Sequence, residues 1–285
     1  MPTADRQRPP PGELYLDHVS HFVGGLDRAA ALLERLGFVV TPESAQVTQD
    51  GPAGTSNRCV MLQQGYLEFL SPTMDTPNAA RMRKSMRRYR GVHLVCFGTP
   101  AAADEHQRLA AHGFEPPPLV NLERKVQRGM KVRFSVVRAA PEKMPEGRIQ
   151  YVEHLAPQAI WRPENLRHRS GVVGLAAAYV VATDPVRAAA RWADFMGGLP
   201  RPEKGLIRLD TDRGRIFIGT RKRVSAILGR APRSPGVAGY ALACRDPKAF
   251  ARRCREADLE VNRHLAVALP PELGGAWHLV PMEKR

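Results

Sequence analysis

The sequence has no apolar run near the roughly 20 residues needed to cross a bilayer, and Met1 to Gly12 is polar and Pro-rich rather than a signal-peptide core. A cytoplasmic chain without a membrane partner is expected. Cysteine is scarce: Cys59, Cys96, Cys244 and Cys254 lie far apart, form no CxxC pair, and read as buried structural thiols. Aromatics make up only 6%, with no zinc-finger spacing and no RNP-like aromatic motif, which argues against a nucleic-acid binder. Acidic residues are outnumbered, 28 Asp and Glu against 43 Lys and Arg, for a net charge of +15. A field of that sign favours anionic partners. The densest basic stretch, Arg81 to Arg90, reads as a helix charged round most of its surface: first a solvated linker, next a rim that attracts an acidic small molecule or a partner, and last a nucleic-acid contact.

What is present is 43% hydrophobic content over 285 residues, enough for one sizeable core or two smaller ones, and an internal repeat. The first copy opens with an extended segment, Leu16 to Val23. A helix follows from Leu26 to Leu36, with Leu26, Ala29, Ala30, Leu33 and Leu36 at helical spacing, and stops at Gly37. Phe38-Val39-Val40, a loop at Gly51 to Gly54, and strands at Asn57 to Gln63 and Tyr66 to Leu70 complete a βαβββ order. The second copy runs from Gly91 to Phe97, through a helix at about Pro100 to Ala111, to Gly113-Phe114 and strands near Leu119 to Val126, Lys131 to Arg138 and Arg148 to Leu155. His18 then falls on His93, Phe22 on Phe97, and Tyr66-Leu67-Glu68-Phe69-Leu70 on Tyr151-Val152-Glu153-His154-Leu155, a shared Y-x-E-x-L. Each copy begins with a strand histidine and ends with a strand glutamate.

Alternation puts Tyr66, Glu68 and Leu70 on one strand face, and Tyr151, Glu153 and Leu155 likewise. A buried carboxylate is costly unless paired or metal-bound. Two imidazoles and two carboxylates suit Zn, Ni, Fe, Co or Mn, so His18, Glu68, His93 and Glu153 are the candidate metal ligands. His21 and His154 are one residue out of phase and are assigned structural roles or roles supporting the ligands from behind.

These residues resemble the vicinal oxygen chelate superfamily: His18, Glu68, His93 and Glu153 in paired βαβββ modules, with Leu16-Asp17-His18-Val19 as the opening strand. More narrowly, Gly54-Thr55-Ser56-Asn57-Arg58, Gly65-Tyr66-Leu67-Glu68, and Glu153-His154-Leu155-Ala156-Pro157 with Trp161 are similar to its glyoxalase-like domain group. The resemblance covers about residues 14–168. It implies an α+β fold of the glyoxalase/bleomycin-resistance/dioxygenase kind, in which two modules form a cup. It further implies a divalent metal that chelates neighbouring oxygens of a small substrate, while Glu68 or Glu153 moves the proton.

The C-terminal half repeats the pattern in weaker form. Leu175 to Ala182 reads as a strand, Asp184-Pro185 opens a helix to Met196, and Gly197-Gly198 ends it. Strands follow near Leu206 to Leu209 and Arg215 to Gly219. After a Pro-rich loop at Pro232 to Pro235, Gly239 to Cys244, a helix from Asp246-Pro247, and Trp277 to Val280 form another unit. Ala178 and Tyr240 occupy the histidine positions. The organisation expected is a flexible tail over 1–13, a metal-binding module pair over 14–168, and a degenerate pair over 169–285, four modules in all. The function expected is a metal-dependent lyase or isomerase acting on a small oxygenated, anionic substrate. The alternatives are a ligand-binding or resistance protein using the same cup, and an extradiol-type dioxygenase. A homodimer is a further expected partner state.

Overall fold

The computed structural model describes residues 4–125, 130–233 and 235–283. Val126, the expected end of one strand, and Ser234, inside the expected Pro-rich loop, lie outside them. The first half runs β1 (Tyr15–Phe22), α1 (Leu26–Arg35), β2 (Ser44–Thr48), β3 (Gly51–Met61), β4 (Tyr66–Pro72), α2 (Pro77–Arg88), β5 (Gly91–Gly98), α3 (Ala102–Ala111), β6 (Val120–Lys125), β7 (Lys131–Arg138) and β8 (Arg148–His154). Helix α1 forms because Leu26, Ala29, Ala30 and Leu33 make one buried stripe, and the chain leaves it through Gly37 at φ 87°, a left-handed turn that glycine adopts freely. Thr76 caps α2 by accepting from the Ala79 N–H, with Pro77 in the first turn. The basic stretch is therefore helical as far as Arg88, with Tyr89 already extended, and Met82 anchors it in the core.

The eight strands close into a barrel in the order β1-β4-β3-β2-β6-β7-β8-β5. Each module contributes four strands. Two antiparallel seams join the modules, β1 with β5 and β2 with β6. The inner lining includes Phe22, Tyr66, Leu70, Leu94, Phe134 and Val152. The outer faces of the barrel carry Val19, Val95, Phe97, Ile149 and Tyr151 into a second, larger core.

The second half runs β9 (Val172–Val181), α4 (Pro185–Met196), β10 (Pro200–Glu203), β11 (Leu206–Asp210), β12 (Arg215–Gly219), α5 (Arg221–Leu228), β13 (Gly236–Cys244), α6 (Pro247–Glu256), β14 (Ala266–Ala268) and β15 (Ala276–Pro281). Asp184 caps α4 and Asp246 caps α6, each followed by proline, as the sequence predicts. The strands form one sheet, β10-β11-β12-β9-β13-β15-β14. Its middle pairing, β9 with β13, corresponds to the β1–β5 seam. Its two ends, β10 of four residues and β14 of three, do not pair, so this sheet stays open. The β9-to-β12 segment has the βαβββ order, whereas the segment from β13 has two strands after its helix among the described residues.

The two halves share a core. Trp192 and Phe195 of α4 meet Phe97 and Tyr151 of the barrel, and Phe38 meets Phe250 and Trp277. Residues 4–13, expected as a flexible tail, are docked instead. Gln7 is buried, donates to the Gln63 carbonyl and accepts from Arg213 of the second half. The four cysteines are free and buried, as expected. Among the described residues no helix is long and apolar enough to cross a membrane.

Candidate functional site

The barrel encloses a cavity of about 380 Å³. His18 and Glu68 reach it from neighbouring parallel strands, because the β1–β4 register sets Ser20 beside Glu68 and His18 beside Tyr66. Glu68 is 5% exposed. Its carboxylate accepts from Ser20 Oγ at 2.5 Å, from Asn57 Nδ2 at 2.5 Å and from Gln46 Nε2 at 3.4 Å. Thr55 donates to the Gln46 carbonyl oxygen at 2.7 Å, which turns the Gln46 amide nitrogen towards Glu68. These partners meet the desolvation cost of a buried carboxylate.

His18 is held by a residue the sequence reading did not select. Between Leu16 and His18 the β1–β5 register shifts, and Asp17 is the extra residue. A bulge re-aims side chains, and Asp17 is fully buried beside His18. His18 Nδ1 donates to Asp17 Oδ1 at 2.7 Å, and His154 Nε2 donates to Asp17 Oδ2 at 3.0 Å. Burial alone would raise the Asp17 carboxyl; the charges and hydrogen bonds of His154 and then His18 reverse that and hold it well below the usual carboxylate range. With Nδ1 engaged, a neutral His18 presents the lone pair of Nε2, which lies 3.9 Å from Glu68 Oε2. The imidazole also stacks on Tyr66, ring centres 4.3 Å apart. Burial, followed by the Asp17 and Glu68 charges, pushes the Tyr66 hydroxyl well above its ordinary value, so it stays neutral.

The other two expected ligands are elsewhere. On β8, Arg148, Gln150 and Val152 line the cavity, which sends Tyr151 and Glu153 to the outer face. A one-residue slip in register exchanges every side chain between faces. The shared Y-x-E-x-L thus aligns an inward strand with an outward one. Glu153 accepts from the Ala102 N–H of α3 at 3.0 Å and from Arg8 at 3.1 Å. His93 coincides with a second register shift in the β1–β5 seam, between Ser20 and His21. It donates through Nε2 to the Tyr89 carbonyl at 2.9 Å and lies between the Tyr89 and Phe22 rings. Burial pushes its imidazole down to about 4.

The metal implied by the resemblance needs inward donors from both modules. The first module presents His18 and Glu68; the second presents Arg148 and Gln150 on β8. Among the described residues no group of three or more His, Cys, Asp or Glu side chains converges to hold a metal ion. The four-residue donor set therefore does not fit. His154, in phase with Val152 on β8, joins His18 through Asp17, but in the sequence its neighbour Glu153 carried the motif.

The remaining cavity wall is cationic. Arg138 of β7 pairs across the sheet with Gln150, and Arg148 lies two residues along β8 on the same face. Both line the cavity, as does Arg81 of α2. Burial, followed by the charges of Arg138 and Arg81, pushes Arg148 down to about 9, with Glu68 opposing. Burial, followed by the charge of Arg81, pushes Arg138 down to about 10.

A βαβββ pair closed round an inward histidine and glutamate defines the chain as a vicinal oxygen chelate protein. The chain belongs to the glyoxalase-like domain family, which matches residues 16–196, past the expected boundary at 168 and through α4. No curated protein matches its sequence. Among solved structures it is similar to a hypothetical protein from Staphylococcus aureus, at 11% identity and TM-score 0.68 over 94% of this chain and 100% of that one. It is also similar to a xylose isomerase-like TIM barrel/4-hydroxyphenylpyruvate dioxygenase fusion protein, at 12% identity and TM-score 0.57 over 95% of this chain and 50% of that one. A mutant 4-hydroxymandelate synthase from Streptomyces coelicolor gives 16% and 0.55 over 90% and 77%. At these identities the likeness is one of fold.

Proposed function

We propose that this chain is a proton-transfer enzyme, an isomerase or lyase, that takes a small oxygenated substrate into the barrel cavity. The observation that carries the reading is the His18–Glu68 pair, 3.9 Å apart at the cavity wall with Asp17 behind His18. In this role His18 Nε2 withdraws a proton from carbon next to a substrate carbonyl. The C–H electron pair moves onto the carbonyl oxygen, giving an enolate, and Asp17 stabilises the imidazolium that forms. Return of a proton to the other face or to a neighbouring atom completes an isomerisation. Loss of a β-substituent with the electron pair completes a lyase reaction. Glu68 holds the substrate hydroxyl and exchanges its proton. His154 is a positioning residue that fixes Asp17.

The test is proton NMR in deuterated buffer with a panel of small hydroxy acids, keto acids and hydroxyketones. Deuterium incorporation or conversion is expected for at least one member, falling about 100-fold or more in His18→Asn and Glu68→Gln, the usual size of an acid–base contribution. A second reading, a binding protein without chemistry, draws on the three hydrogen bonds that already engage Glu68. Binding of panel members with neither exchange nor conversion would establish that reading instead.

A further inference from the structure

We propose that Arg138 and Arg148, with Arg81 beside them, form a clasp for an oxyanion, so that the substrate is a small organic acid bearing a carboxylate or phosphate group. This rests on the barrel cavity being the substrate site. Where the first module turns a carboxylate inward on its last strand, the second turns Arg148 and Gln150 inward. The positive charge that a metal would bring to such a cup is supplied here by guanidinium groups.

Three features indicate that the clasp awaits a ligand. First, among the described residues none of Arg81, Arg138 and Arg148 has a carboxylate within ion-pair distance; Arg148 donates only to Asn78 Oδ1, at 3.2 Å, and covers the Phe22 ring. Glu68 is taken up by Ser20, Asn57 and Gln46, and the other acid lining the cavity, Asp50, is exposed. Secondly, Arg138 Nε is buried without a partner, and the burial that lowers both arginines marks a charge that the fold leaves uncompensated. Thirdly, Gln150 is 5% exposed and its Oε1 lacks a donor, a need that a substrate hydroxyl would meet. Paired guanidiniums recognise planar or tetrahedral oxyanions through parallel N–H donors. A volume of about 380 Å³ is near the lower end for ligand pockets, which favours a small acid over a long conjugate.

Isothermal titration of the full chain with lactate, malonate and inorganic phosphate tests the clasp. At least one is expected to bind once per chain, and at least tenfold more weakly in Arg138→Gln and in Arg148→Gln. Preference for phosphate over the carboxylates, or the reverse, identifies the group that the clasp holds. Melting without ligand supplies an independent readout: Arg138→Gln is expected to melt at or above the wild type, because it removes a repelled cation that has no partner. Equal affinity across wild type and both arginine variants, no binding of any of the three anions, or a clearly lower melting point for Arg138→Gln would overturn the clasp. The two proposals fail separately. Anion binding through the arginines without catalysis on any acid defeats proton transfer alone, whereas catalysis on a neutral substrate with no anion binding defeats the clasp alone.

Discussion

Asp17 serves two imidazoles at once, and the protonation of the buried histidines governs how the protein responds to acid. His21 and His93 are each pushed down to about 4 by burial, against 6.5 for an exposed imidazole. His21 donates from Nδ1 to the Leu273 carbonyl and accepts from the Tyr240 hydroxyl, so a second ring proton would displace the Tyr240 donor. Between pH 6.5 and 4 the unfolded chain binds protons that the folded chain refuses. Stability therefore rises with pH across that window and is lost as pH falls through it, by a few kcal/mol in total. Asp17, whose carboxyl is depressed, extends the loss below its unfolded value of 3.8. Thermal melts in matched buffers are expected to be flat above pH 7 and to drop steeply from 6.5 to 4, with a shallower drop in His93→Gln. A melting point independent of pH over that range would contradict the assignment.

Elements explain which parts of this could be foreseen. The helix stripe of α1, the Asp-Pro openings of α4 and α6 and the βαβββ order were legible because capping and periodicity are local. His18 and Glu68 are legible as inward residues because the β1–β4 pairing runs unbroken from His18 to Phe22 and from Tyr66 to Leu70. Glu153 and His93 lie away from the cavity lining for non-local reasons: barrel closure sets the face of β8, and the β1–β5 seam shifts register at His93. Strands β10 and β14 and helix α5 were not foreseen, the strands being three or four residues long. Phe38 to Val40 is not a strand, and β3 begins at Gly51, inside the expected loop. Glu153 now has a role that can be tested at the scale of one helix. Because it accepts from the first-turn N–H of Ala102, Glu153→Ala should cost about 1 kcal/mol, as loss of a helix cap does, with catalysis unchanged. Urea denaturation alongside turnover measures both, and loss of turnover without loss of stability would return Glu153 to the active site.

At the scale of the molecule, the barrel and the open sheet stabilise each other. Phe97, Tyr151 and Phe38 are buried against residues of the second half, Arg108 donates to the Phe195 carbonyl, and Gln7 bridges to Arg213. A chain cut after residue 168 would expose these apolar faces and leave His21 without Tyr240, so it is expected to aggregate or lose fixed packing. The intact chain is expected to unfold in one cooperative step, with near- and far-UV circular dichroism changing together in urea. Two separated transitions would show that the halves fold independently.

Strand β10 ends the open sheet with the sequence Pro200-Arg201-Pro202-Glu203 and pairs on one side with β11. Proline in a sheet is confined to edges because it has no N–H to give, so two of the four positions here offer an incoming strand no donor. Polymerisation by strand addition is therefore blocked at this border, and copies of the chain that meet there must do so through side chains rather than through a shared sheet.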